Sequence, residues 1–172
     1  FGMKNYLYPE YVLVLWAARK FGRPVRWISE RSEDFVSSAQ GRDFFARSRL
    51  ALDKKGRFLG LEVRAGANMG AYLSTLGPIS STNAASSAMG GVYDIPPVFV
   101  EVRGAFTNTP PIDAYRGAGK PEANYLIERL VNLAAARTGI DAIELRRRNI
   151  IGTFPHRTAM GMKIDGGRFG AG

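Results

Sequence analysis

Apolar positions change their period along the chain. Tyr11 to Ala18 (YVLVLWAA) is almost continuously apolar, and Arg19, Lys20, Gly22 and Pro24 follow it. Basic residues in a last turn, a glycine just past it and a proline beyond are helix-stop signals. The pattern predicts a helix over Pro9 to Lys20, apolar nearly all round and so covered on most sides. Pro24 to Ser29 alternates briefly and predicts a strand. Phe44 to Asp53 alternates for longer, with Phe44, Ala46, Ser48, Leu50 and Leu52 on one face. After the turn Asp53-Lys54-Lys55-Gly56, Phe58 to Asn68 alternates again and places Leu59, Leu61, Val63, Ala65 and Ala67 together. Two such runs joined by a glycine turn predict a β-hairpin.

Gly70 to Gly91 is rich in Gly, Ser, Thr and Ala without a clean period, which predicts loop with a short helix near Asn83 to Met89. Pro97 to Asn108 predicts a further strand. Helical spacing returns over Pro121 to Thr138, with Leu126, Leu130 and Leu133 on one stripe and Ile127 and Val131 beside it; Gly139 stops it. Asp141 with Glu144 three residues on is an Asp form of the capping box, opening a last helix to Asn149. Residues 152–172 are glycine-rich and predict a loosely ordered tail after a domain over residues 1–151. The expected class is α+β: mixed, largely antiparallel strands packed with a few helices.

Composition narrows the chemistry. The chain has 172 residues, 45% of them hydrophobic and 23% charged, enough for one domain with a real core. No apolar run approaches the ~20 residues of a membrane span. The first residue is Phe1 rather than Met, which predicts that the chain is a piece of something longer. There is no cysteine, so disulfides, thiolate metal sites and a cysteine nucleophile within the chain are excluded, and a cytoplasmic setting fits. The one histidine, His156, argues against a metal site built on nitrogen ligands. The net charge of +9 raises a basic nucleic-acid module as an alternative. Only Arg146-Arg147-Arg148 forms a run, however, and no nucleic-acid partner is expected; that run predicts a helix surface or a subunit contact. SAQGRD, Ser38 to Asp43, reads as a polar loop.

The stretch AYRGAGKPEA, beginning at Ala114, looks at first like a phosphate-binding loop. A Walker A motif needs glycine where Ala114 stands and Ser or Thr where Pro121 stands. A dinucleotide fingerprint needs glycine at Glu122. Both fail. What remains is a glycine turn feeding a helix start: Pro121 suits a first helical position, and Gly117 and Gly119 let backbone approach a ligand. Free N–H groups and a positive helix end beside Arg116 would suit an anion. Spacing alone leaves open that these glycines only turn the chain into the helix.

Six segments in order, FGMKNYLYPEYVLVLWAARKFGRPVRWISERSEDF, QGRD, the hairpin, GVYDIPP, TNTPPIDAYRGAGKPEA and ELRRRNI, resemble the molybdenum-binding large subunit of the xanthine dehydrogenase, aldehyde oxidase and carbon monoxide dehydrogenase family. The resemblance runs from Phe1 to about Ile151, and its flavour is that of the bacterial carbon-monoxide-dehydrogenase-like large chain. It implies that Phe1 and Gly2 end a glycine-rich loop beside the molybdenum. It also implies that Ala114, Tyr115, Arg116, Gly117 and Gly119 lie against a molybdopterin cofactor, often its cytosine dinucleotide form. No catalytic residue and no direct metal ligand is expected in the chain, because the family's general-base Glu lies farther along the polypeptide.

The implied activity is oxidative hydroxylation with water as the oxygen source. Electrons would leave through iron–sulfur clusters and FAD on a small and a medium partner subunit, alongside the rest of the large subunit. Gly117 stands where copper-dependent carbon monoxide dehydrogenases place a cysteine, and Asn5 where purine hydroxylases place a Glu. Both departures count against those two substrates and leave an aldehyde or an N-heterocycle, with Asn5 as a candidate substrate-pocket residue. A non-catalytic interaction or relic domain of the same fold is the other alternative.

Overall fold

The computed structural model of the protein describes residues 3–165. Its centre is a three-stranded sheet in the order β1-β2-β3. β1 (Phe44–Leu52) runs antiparallel to β2 (Phe58–Gly70), and β2 runs parallel to β3 (Val98–Phe106). The expected hairpin and third strand are therefore present. Asp53 closes the hairpin: its carboxylate accepts from the amides of Lys55 and Arg57, each at 2.8 Å. Gly56 sits there at φ +81°, a conformation that favours glycine.

One face assignment differs from expectation. The register slips where Ala51 faces Gly60 and Leu52 faces Phe58. The resulting bulge turns Phe58 and Leu61 both inward and leaves Leu59 exposed, outside the set formed by Leu61, Val63, Ala65 and Ala67.

A parallel neighbour requires a crossover, and the Gly/Ser/Ala-rich segment supplies it. Its helical part starts earlier than residue 83: α3 (Gly77–Ile79), a π-helical turn (Ser80–Ala84) and α4 (Ala85–Ser87) follow without a break. α5 (Lys120–Thr138) covers the inner face of the sheet. Ala123, Ile127, Val131 and Ala135 join Leu61, Val63, Ala65 and Met89 in the core. Of the expected stripe, Leu126 is buried, Leu130 half-buried and Leu133 exposed, because the last two lie beside β1 rather than over the sheet centre.

α6 (Ala142–Asn149) begins as expected, with the Asp141 carboxylate accepting from the amides of Ile143 and Glu144, both at 3.0 Å. Glu144 does not complete the box; its carboxylate takes Arg148 Nε at 2.8 Å. Two members of the arginine run are internal ties: Arg146 pairs with Glu128 at 2.6 Å, and Arg148 donates to the Lys55 carbonyl at 2.6 Å. At the end of α6, buried Asn149 accepts from the Phe58 amide and donates to the carbonyls of Gly56 and Leu145, each at 2.8 Å. Asn149→Ala strands these groups, and a buried unsatisfied group costs about 1–3 kcal/mol. Denaturant unfolding should therefore show a loss of about 3 kcal/mol.

The N-terminal part corrects two expectations. α1 (Pro9–Phe21) forms and stops at Gly22 (φ +62°), but none of its residues is buried, and Leu15 remains 72% exposed. An all-round apolar helix declares that it needs cover; it does not declare which segment provides it. Residues 3–165 do not. Pro24 to Ser29 forms no strand, because alternation becomes a strand only beside a ladder partner and none lies there. α2 (Arg31–Ser37) follows, opened by a reciprocal capping box between Glu30 and Glu33. Within the stretch expected to be a loose tail, β4 (His156–Arg157) pairs antiparallel with β5 (Lys163–Ile164). Two of the three strand pairings among the described residues are thus antiparallel, and the α+β class holds.

Candidate cofactor-binding site

The segment between β3 and α5 turns left-handed three times in succession: Gly117 at φ +93°, Ala118 at +44° and Gly119 at +86°. Two hydrogen bonds hold the turn, from the Ala118 amide to the Tyr115 carbonyl at 2.7 Å and from the Lys120 amide to the Gly117 carbonyl at 3.1 Å. The supply of free amides is therefore narrower than expected. Those of Ala118 and Lys120 are used, while no hydrogen bond among the described residues takes the amide of Gly117 or Gly119. Gly119 is also the cap of α5 and brings no side-chain acceptor; Pro121 occupies the first turn. The positive end of a 19-residue helix thus meets two unpartnered amides.

Glycine is needed for space as well as for conformation. A β-carbon on buried Gly119 would lie 2.8 Å from the Ala85 amide and would strike the Ser80 carbonyl. One on Gly117 would lie 2.7 Å from Pro121 Cγ. The crossover helix therefore seats directly against the turn.

A second loop braces the first. Gln40 bridges Ile112, with its amide donating to the Pro111 carbonyl at 2.9 Å and its carbonyl accepting from the Asp113 amide at 2.8 Å. Gly41 packs so closely that a β-carbon there would lie 2.7 Å from Tyr115 Cβ. Arg42 stands 5.3 Å over the Tyr115 ring, donates to the Arg116 carbonyl at 3.0 Å and pairs with Glu122 at 3.4 Å. SAQGRD is thus more than the polar loop its composition suggested. Nothing in its own pattern shows that it meets residues more than seventy positions away.

Asp113, buried under the turn, was also missed. Its carboxylate accepts from the Ala114 amide at 2.5 Å and the Leu76 amide at 3.1 Å. The Tyr6 hydroxyl donates to the Ala114 carbonyl at 2.5 Å. Burial pushes the Tyr6 phenol well above its usual range, and nearby Asp113 adds to that. Neither residue carries a local pattern in the sequence that marks it. Asp113→Ala frees two amides from their acceptor, each worth about 1–3 kcal/mol. The expected outcome is a loss of about 3 kcal/mol in the unfolding free energy, read from denaturation midpoints.

Of the residues expected at the site, Ala114, Tyr115, Arg116, Gly117 and Gly119 share this one turn. Asn5 ends the turn Met3–Asn5, directly before Tyr6, so the Tyr6 bond brings that segment to Ala114. Phe1 and Gly2 lie outside the described residues. The donor set, backbone amides with a helix end and the Lys120 and Arg42 cations nearby, fits a negatively charged organic group. Among the described residues no cluster of three or more His, Asp or Glu side chains could hold a metal ion directly.

Backbone amides at a helix start, braced by a second loop in an α+β domain, form a candidate cradle for an anionic group. Residues 1–150 match the molybdopterin cofactor-binding domain, and the chain belongs to that family. It is 36% identical over 151 residues to the gamma subunit of the 6-hydroxypseudooxynicotine dehydrogenase complex of Paenarthrobacter nicotinovorans, covering 88% of this chain and 19% of that relative. It is 36% identical to the carbon monoxide dehydrogenase large chain of Hydrogenophaga pseudoflava, covering 98% of this chain and 22% of the relative.

Among solved structures it superposes on quinoline 2-oxidoreductase from Pseudomonas putida 86 with a TM-score of 0.92 at 36% identity, covering 98% of this chain and 22% of that one. The Cu,Mo-CO dehydrogenase gives 0.88 at 29% identity, with the same coverage. The chain therefore spans about a fifth of the length of these relatives. The molybdenum-hydroxylase resemblance and the α+β class both hold, and no described helix is long and apolar enough to cross a membrane.

Proposed function

We propose that this chain grips the pterin cofactor of a molybdenum hydroxylase, within a large subunit that oxidatively hydroxylates an aldehyde or N-heterocycle with water as the oxygen source. The observation that carries this reading is the left-handed turn of Gly117, Ala118 and Gly119, with two unpartnered amides at the start of α5. When bound, the cofactor supplies the metal and the redox chemistry. The chain's own residues bind and orient it. The amides of Gly117 and Gly119 face its anionic groups, Arg42 holds the Arg116 carbonyl so that the turn keeps its shape, and Asp113 with Tyr6 anchors Ala114 from below. Phe1 and Gly2 are assigned to the same cofactor and Asn5 to the substrate side.

Relatives whose names carry quinoline and 6-hydroxypseudooxynicotine favour an N-heterocycle. Gly117 in the place of a copper-binding cysteine, in a chain without any cysteine, counts against carbon monoxide as substrate. The cytosine dinucleotide form of the cofactor, partner subunits carrying iron–sulfur clusters and FAD, and a cytoplasmic location complete the reading. Relatives described as a complex subunit and as large chains support the subunit assignment.

The cradle is open on the side away from the crossover helix, where Arg116 and Gly117 are exposed. Other polypeptide must close it. Chain 1–172 purified alone is therefore expected to carry no stoichiometric molybdenum by elemental analysis, whereas the full-length subunit carries it. Metal at one per chain in the short form would overturn the incomplete-site reading.

A further inference from the structure

β1 is an edge of the sheet, and among the described residues nothing pairs with its outer side. It is nine residues long, alternating and free of proline. Natural sheets seldom leave such an edge open. Beside it runs a groove between β1 and α5, formed by two adjoining hollows that share Ser48, Leu130 and Leu133 and extend from Phe44 to Leu52. Its floor is apolar, with Leu50, Leu52, Leu130 and Leu133 facing into it. α5 thus flanks the groove beside β1 without another strand beneath it there among the described residues, which is why Leu133 of the expected core stripe stays exposed.

The rim is basic. Arg47, Arg129 and Arg137 line it, and among the described residues none of the three has a carboxylate partner within salt-bridge distance. The one acid on the rim, Glu122, is taken by Arg42. A second copy pairing edge to edge would set the arginines of two β1 strands against each other, and like charges across a pair destabilise it.

We propose that β1 receives a fourth strand from the large-subunit polypeptide outside residues 1–172, an extended segment alternating apolar and acidic side chains. Its backbone completes the ladder of β1, its apolar side chains fill the groove under Leu130 and Leu133, the carboxylates on its other face meet Arg47, and acidic residues where it enters and leaves the groove meet Arg129 and Arg137. The proposal rests on the large-subunit reading above, since the chain covers about a fifth of its relatives.

The test uses the full-length subunit. Residue-resolved hydrogen exchange should show the β1 amides that point away from β2 protected at least tenfold more than open edge amides. A photo-crosslinker replacing Tyr125, which lines the groove and is exposed, should link to an acidic extended segment of the same chain. The double variant Arg129→Glu, Arg137→Glu should raise β1 exchange about tenfold. Unprotected β1, a crosslink to a second copy or to another subunit, or exchange unmoved by charge reversal would each overturn the proposal. Molybdenum in the same preparation is read separately. A protected β1 without molybdenum defeats the cofactor reading alone, and molybdenum with an open β1 defeats this proposal alone.

Discussion

Gly119→Val in the full-length subunit is expected to abolish molybdenum loading and to lower the unfolding temperature by about 1–3 °C. Two costs combine. A left-handed backbone costs an L-residue about 1–2 kcal/mol, and more when it is β-branched. The new β-carbon also meets the Ser80 carbonyl and, at 2.8 Å, the Ala85 amide, which are backbone atoms of the crossover helix and cannot swing aside as a side chain could. Forcing them apart adds about 1–3 kcal/mol. The sum, about 2–5 kcal/mol, is large against a domain's total stability. Calorimetry with elemental analysis of the same sample measures both effects; a variant with unchanged melting and metal content would show that the turn does not sit where it is placed.

The second large effect is separable from folding. Gly117 is exposed, and the obstacle to its β-carbon is the ring of Pro121 at 2.7 Å, within the turn itself. Gly117→Val is therefore expected to leave the core of α5, β2 and the crossover helix intact while distorting the path of the Gly117 and Gly119 amides. Stability should fall by about 2–4 kcal/mol, the left-handed cost of a β-branched residue plus the displacement of the Pro121 ring, without reaching the core. Cofactor content should fall at least tenfold, since the distorted amides are the ones proposed to face the anion. The contrast between the two glycines is itself informative: one variant unfolds the seat, the other spoils the surface.

Much of the fold was legible because local rules and tertiary structure agreed. The β1–β2 alternation, the Asp53 turn, the α5 periodicity and the Asp141 cap each follow from short-range chemistry. Failures fall where the answer lies in a distant or missing partner. α1 and its uncovered Leu15 and Trp16 depend on cover from outside the described residues. Pro24 to Ser29 had the pattern of a strand without a ladder to join. Leu59 left its face because of a bulge whose cause is the pairing, not the sequence of β2 alone.

The site shows the same division. Glycines feeding a helix start were legible as a glycine turn into α5, since Gly117, Gly119 and Pro121 declare their backbone roles locally. The contributions of Arg42, Gly41, Asp113 and Tyr6 were not, because each acts across a long loop closure on a carbonyl, an amide or a ring that no local pattern reveals.

The central claim is that the turn from Ala114 to Gly119 holds the molybdopterin cofactor. The most direct measurement is molybdenum and released pterin nucleotide per chain in full-length Gly117→Val beside the wild-type subunit, with melting curves confirming that both are folded. A folded variant with at least tenfold less molybdenum and nucleotide is expected. A folded variant with wild-type content of both would contradict it.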